Sequence, residues 1–224
     1  MIVLGLDTAT TIASIALVDD TGAVLAETRH DTSGRKTDLL VAIDATCRRA
    51  GIAPAQLAAL AVGAGPGSFT GLRIGMATAK GIAFAAQRPL WAVSSLAALA
   101  HEAAGDGLVI AALDARRGEL FAGCYRGGTL LAPERTIAPE DLAGLAAGET
   151  ARYAGDALEA YPAVLAPLAS AWTNVVTPSG AAVARLALAG PRTDVLLGGA
   201  PSYIRPAEAE VKYPDGVPGA LRRR

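Results

Sequence analysis

The chain has little of what usually carries catalysis. Among 224 residues there are two histidines, His30 and His101, two cysteines, Cys47 and Cys124, and an aromatic content of 4%. The cysteines are far apart and in no metal-like spacing. No His-x-x-x-His or tight carboxylate cluster occurs, so neither a metal centre nor a metal cofactor is expected. Two isolated thiols exclude a disulfide scaffold and fit a reduced, cytoplasmic setting. The few aromatics leave no material for an extensive base-stacking platform, and a net charge of −1 argues against an independent nucleic-acid binder. The basic clusters Arg48-Arg49, Arg116-Arg117 and Arg222 to Arg224 read as solvated faces or a frayed tail. Long apolar runs are absent too. The opening "MIVLGLDTATT" has no basic leader and is too short for a signal peptide or a membrane span; it reads as a strand of the fold.

What is present is core material, 52% hydrophobic and rich in alanine. "IVLGLD", "IASIALVD" and "AVLAET", separated by tight turns, predict an antiparallel meander. Leu40, Ile43 and Cys47 recur at helical steps in "KTDLLVAIDATCRRAG", with Gly51 as the stop signal. "LAVGAG" reads as a buried strand, then a long helix runs from Ser68 or Thr70 to about Gln87, a strand "PLWAVS", and a helix through His101 capped by Ser94 or Ser95. After residue 107 the pattern restarts: "LVIAALDARRGELFAGCYRGGTLLAPE" aligns with "MIVLGLDTATTIASIALVDDTGAVLAE", placing Asp114 opposite Asp7 and Gly128 opposite Gly22. This reads as an internal duplication, residues 1–107 and 108–224, with convergent meander patterning as the alternative. "PEDLAGLAAG" and "PSGAAVARLALAG" are expected to be helical, and the tail from about 206 irregular or disordered.

The most unusual stretch is "GPGSFTGLRIG", Gly65 to Gly75. Gly71 is followed by Leu72 and Arg73 rather than the Lys and hydroxyl residue of a Walker loop, and Thr70 occupies the third glycine position of a dinucleotide fingerprint. What remains is a candidate weak anion or nucleotide contact at Asp7, Thr8, Thr10, Gly67 and Ser68. Gly71, Gly75 and Ala79 form a row of small residues along one helix. Each interior glycine costs a helix about 1 kcal/mol relative to alanine, so this row is expected to offset that cost by close helix contact, within its own domain or with a partner. Ser68, Ser94 and Ser95 lack a nucleophile elbow and read as caps. "LLGGAP", 196–201, reads as an ordinary turn, with a glycine pair against adenosine as the alternative. No catalytic constellation emerges.

Together "GLDTATTIASIAL", "AVGAGPGSFTGLRIGMATAKGIA", "VSSLAALA", "ALDARRGELFAG" and "PSYIRP" resemble the TsaB (YeaZ) family. The resemblance spans residues 1 to about 206. It implies an α/β, actin-like ATPase fold of the sugar kinase/Hsp70 type, with two related halves that each hold a mixed sheet flanked by helices. It further implies a non-catalytic subunit that pairs with TsaD for threonylcarbamoyl transfer to the tRNA adenosine next to the anticodon. TsaE joins the larger complex, the chain dimerises with itself when alone, and tRNA is met only indirectly. The partner face would be the helices Thr37–Ala50 and Ser68–Ala86, through Leu40, Ile43, Cys47, Gly71, Arg73, Gly75 and Ala79. Many family members have a histidine near the start of the first of these helices, where this chain has Arg35 and Lys36. The alternatives are an ATP-binding phosphotransferase of the same superfamily and a glycoprotease-like peptidase.

Overall fold

Residues 1–32, 39–103, 105 and 107–205 are described by a computed structural model. The tail from 206 with its arginines, and the segment holding Arg35 and Lys36, lie outside the described residues. The first meander is β1 (Ile2–Asp7), β2 (Ile12–Asp19) and β3 (Val24–Asp31). Helix α1 (Leu39–Ala50), β4 (Ala59–Gly63), α2 (Phe69–Ala86), β5 (Leu90–Val93) and α3 (Ser95–Glu102) follow. Gly51 ends α1 as expected, at φ +67, with the Ile52 N–H bonded to the Cys47 carbonyl at 3.0 Å. The strands form one mixed sheet in the order β3-β2-β1-β4-β5, β1 being antiparallel to β2 and parallel to β4.

The second meander repeats this plan with less regular parts. It holds β6 (Leu108–Arg116), β7 (Glu119–Arg126), the two-residue β8 (Thr129–Leu130), β9 (Arg135–Ile137) and β10 (Ala151–Ala154). Again the first strand is antiparallel to the second, and β10 stands parallel to β6 as β4 does to β1, in the order β10-β6-β7-β8 with β9 also on β7. Beside β10, where the first sheet has β5 next to β4, Trp172 makes a single parallel bridge to Tyr153. The expected helix at "PEDLAGLAAG" is a 3-10 turn, Pro139–Ala146. Short turns α4 (Ala157–Ala160) and α5 (Pro162–Leu165), which the sequence did not announce, stand where the first half has α2.

The β1 side chains alternate between the two faces of the first sheet. Leu4 and Leu6 meet α1 and α2 through Ile43, Cys47, Met76 and Ala79. Val3 lies on the other side against Ala181, Val183 and Ala184 of α6 (Gly180–Ala189). Each fully buried leucine contributes about 1.5–3 kcal/mol. Thus α6, from the second half of the sequence, covers the first sheet, while α3, from the first half, packs on β6 and β7. The expected α/β architecture, two halves each with a mixed sheet and flanking helices, is the one observed. We propose residue 107 as the boundary of the repeated units; packing crosses it in both directions.

Candidate functional site

The glycine-rich loop closes over the first hairpin. Asp7, at the end of β1, is fully buried. Its carboxylate accepts the Ala9 N–H and the Ser95 hydroxyl, both at 2.7 Å. Burial pushes its pKa up to about 6, against the opposing pull of those two hydrogen bonds. The Thr8 hydroxyl donates to the Gly71 carbonyl at 2.8 Å. A methyl group at Gly71 would lie 2.2 Å from the Thr8 carbonyl oxygen, and one at Gly75 would lie 2.2 Å from Thr8 Oγ1. Gly67 is pressed as closely onto Ala9. Ser68 caps α2 by accepting the Gly71 N–H, and its own N–H donates to the Ala9 carbonyl at 2.7 Å. Thr10 shares a 2.6 Å hydrogen bond with Thr177.

These contacts correct the assignment of the small-residue row to a partner. Gly75 and Ala79 are buried and Gly71 is half-buried, because α2 must approach Thr8 and β4 within its own chain. Ile43 and Cys47 likewise face the core, and burial raises the Cys47 thiol pKa. Of the expected interface set only Leu40 and Arg73 are exposed. The anion set divides as well. Thr10, Gly67 and Ser68 line a cleft of about 690 Å³, whereas Asp7 and Thr8 do not.

What the row analysis missed is the opposite side of α2. Ile74 and Phe84 are 51% and 73% exposed, with the exposed Ala77 and Gly81 between them at helical spacing. Beside them on the same face of the sheet, α1 turns out Leu40 and Val41, at 57% and 61%. A methyl group at Gly81 would meet no atom of the described residues within 4 Å, so no packing among them calls for that glycine. The signal was present in sequence: α2 has only Arg73 and Lys80 as charged residues, and a helix apolar all round is normally covered all round.

The cleft is bounded on its far side by the β6–β7 turn. There Asp114 accepts the Arg116 N–H at 2.7 Å, pairs with the Arg116 guanidinium at 3.0 Å and takes a hydrogen bond from Tyr161 at 3.1 Å. Burial likewise pushes the neighbouring Asp156 up to about 6, although its carboxylate accepts the Asp114 N–H. Residues 202–205 run across the cleft: Ser202 donates its N–H to the Ala64 carbonyl at 2.6 Å, and Arg205 pairs with Glu119 of β7 at 2.8 Å. Ser95, fully buried, bridges two parts of the joint: its hydroxyl donates to the Asp7 carboxylate while accepting the Gly65 N–H. Gly199 stands in a tight turn closed by its N–H to Val195, which is the ordinary reading of that glycine pair. Among the described residues, no three His, Cys, Asp or Glu side chains converge as a metal site, and no helix is long and apolar enough to cross a membrane.

The family described as "TsaD: tRNA N6-adenosine threonylcarbamoyltransferase" matches residues 30–213. The solved structure of YeaZ from Pseudomonas aeruginosa superposes with a TM-score of 0.76 at 31% identity, covering 90% of this chain and 99% of that one. This chain belongs to the TsaB (YeaZ) branch of that family. A second Pseudomonas aeruginosa structure, described as similar to peptidase YEAZ, gives a TM-score of 0.78 at 32% identity, covering 91% and 99%. The tRNA threonylcarbamoyladenosine biosynthesis protein TsaB of Escherichia coli is 39% identical over 124 residues, 54% of this chain and 53% of that protein. Its Bacillus subtilis namesake is 33% identical over 127 residues, 56% of each. The chain thus spans about half the length of the curated relatives it matches.

Proposed function

We propose that this chain is a non-catalytic subunit of the assembly that builds threonylcarbamoyladenosine on tRNA, and that it pairs with a TsaD subunit through the outer faces of α1 and α2. The observation that carries this reading is the exposed stripe Ile74, Ala77, Gly81, Phe84 beside Leu40 and Val41. An exposed apolar patch of this kind marks an interaction site. A glycine with open space above it lets a second helix approach closely. The TsaB names of relatives and the TsaD family match support a TsaD subunit as that partner. The same stripe would serve a homodimer when the chain is alone, with TsaE joining the heteromeric complex in the cytoplasm.

The non-catalytic part of the proposal rests on Asp7 and Thr8. The Asp7 carboxylate has no exposed surface and the Thr8 hydroxyl is committed to Gly71, so neither is placed to reach a substrate in the cleft.

Co-expression with the TsaD subunit followed by size-exclusion chromatography tests the interface. Ile74→Asp and Phe84→Asp are expected to abolish co-elution, a loss of about 2 kcal/mol or more for a central contact. The melting of the isolated chain should stay within about 0.5 kcal/mol of the parent. Undiminished pairing by both variants would contradict the assignment.

A further inference from the structure

The rim of the cleft carries a feature the subunit interface does not use. In a chain with three phenylalanines and five tyrosines, one of each is placed side by side at this opening. Phe69 and Tyr203 have ring centroids 5.2 Å apart and are 38% and 40% exposed. The Arg73 guanidinium lies 3.8 Å over the Phe69 ring, while its Nε donates to the Tyr203 hydroxyl at 2.9 Å. The rings are tilted by 36° to each other and Arg73 ties them together, lying over one and hydrogen-bonded to the other, so that two rings and a planar cation form one cluster. Across the opening, Arg116 and Arg117 occupy the tip of the β6–β7 turn with left-handed φ values of +63 and +59. Both are exposed. Left-handed backbone is costly for residues with a side chain, and a glycine there would relieve it, so the turn keeps two exposed arginines at some expense to the fold.

We propose that this opening binds a single-stranded stretch of RNA, a base stacking on the Phe69–Arg73–Tyr203 platform and its phosphates meeting Arg116 and Arg117. Aromatic faces joined to arginines are the recurring means of holding unpaired nucleotides. The cations lining the cleft are Arg73, Arg116, Arg117 and Arg205, against the carboxylates of Asp114 and Asp156. The pairing of Arg116 with Asp114 leaves further guanidinium donors for a phosphate, since the group carries five. An apolar peptide would need greasier walls than these. A magnesium nucleotide would find the Asp7 carboxylate sealed and that of Asp114 already engaged by Arg116 and Tyr161. The inference rests on the proposed role in a tRNA-modifying assembly, and it replaces the expectation that tRNA is met only through the partner.

The test uses the full chain, alone and co-purified with TsaD, and a fluorescein-labelled single-stranded oligoribonucleotide of about ten nucleotides, followed by anisotropy over a salt series. The double replacement Arg116→Gly/Arg117→Gly removes both cations while suiting the backbone. It should weaken binding at least about tenfold and reduce the salt slope by about 1.4, since each lost phosphate contact on a single strand accounts for roughly 0.7. Tyr203→Ala should weaken binding about fivefold or more with the slope unchanged, and Tyr203→Phe should restore most of it. Pairing with TsaD, read on the same variants by chromatography, stays intact, so loss of RNA and loss of the partner are separate readouts. An unchanged salt slope in the double variant, equal binding of duplex RNA, or displacement of the strand by magnesium-ATP would each overturn the proposal.

Discussion

At the end of β1 the Asp7 carboxylate accepts the N–H two residues on, from Ala9, at 2.7 Å; at the end of β6 Asp114 accepts the N–H of Arg116 at the same distance. From this shared start the two turns diverge. The first continues with Ala9 and Thr10 and lies beneath α2, whose Gly71 and Gly75 exist so that the helix can touch Thr8. The second continues with Arg116, Arg117 and Gly118, all exposed, and short turns replace the covering helix. One copy of the motif became a sealed joint and the other an open, cationic rim. The pair teaches that the glycine-rich loop, the most conspicuous stretch in the sequence, is a packing device within one chain.

The contrast can be broken most sharply at Gly75. A leucine there must displace Thr8 Oγ1, which would stand 2.2 Å from its Cβ. Urea unfolding should show a loss of about 3 kcal/mol or more, at the upper end for overpacking. A loss under about 0.5 kcal/mol would mean the joint is not tight.

The buried carboxylates sharpen the comparison through pH. In the folded chain Asp7 and Asp156 both titrate near 6, above the ordinary 3.8, because burial disfavours the charged form. The folded state therefore holds these protons more tightly than the unfolded one. The contribution of these two groups to stability is greatest below about 4, falls as pH rises from 3.8 towards 6, and is level above that. For Asp7 the fall is on the order of 3 kcal/mol. Asp7→Asn should remove that part of the slope and leave the part due to Asp156, as read from melting curves between pH 4 and 7.

Smaller effects follow at the partners. Ser95→Ala removes a hydroxyl from the Asp7 carboxylate and strands the buried Gly65 N–H, which should cost about 2 kcal/mol in denaturant unfolding. At the open turn the sign reverses. Arg116→Gly relieves a left-handed backbone and gives up an ion pair whose arginine is 74% exposed. Because such pairs are worth about 0–1 kcal/mol, the net expectation is a gain of about 0.5 kcal/mol, measured by the same unfolding curves.

Much of the fold was legible. Alternating apolar runs with tight turns gave the strands of both meanders, and the Leu-Asp pairs of β1 and β6 marked the repeat. The missed parts have physical reasons. Residues 157–171 fold as single turns around Pro162 and Pro167, too short to carry a helical period. The exchange of α3 and α6 between sheets is a tertiary choice that no local pattern encodes. For the candidate site, the composition of the row Gly71, Gly75, Ala79 was read correctly as a close contact, but its direction depends on Thr8, sixty-three residues away from Gly71 in sequence. Ile43 and Cys47 were legible as the apolar face of an amphipathic helix, which is why they serve the core. The outward apolar stripe of α2 went unread because attention to glycines hid a helix with too few charges to be a free surface.

Gly81→Leu tests the central claim most directly, since it asks one helix to answer for both of its faces. The claim is that the inner glycines of α2 seal the chain and the outer one admits a partner. A Cβ at Gly81 has no atom of the described residues within 4 Å, and leucine improves helix propensity by roughly 0.8 kcal/mol. The isolated protein should therefore melt at the same or a higher temperature, while co-elution with the TsaD subunit is lost. A lowered melting temperature with pairing intact would contradict the account.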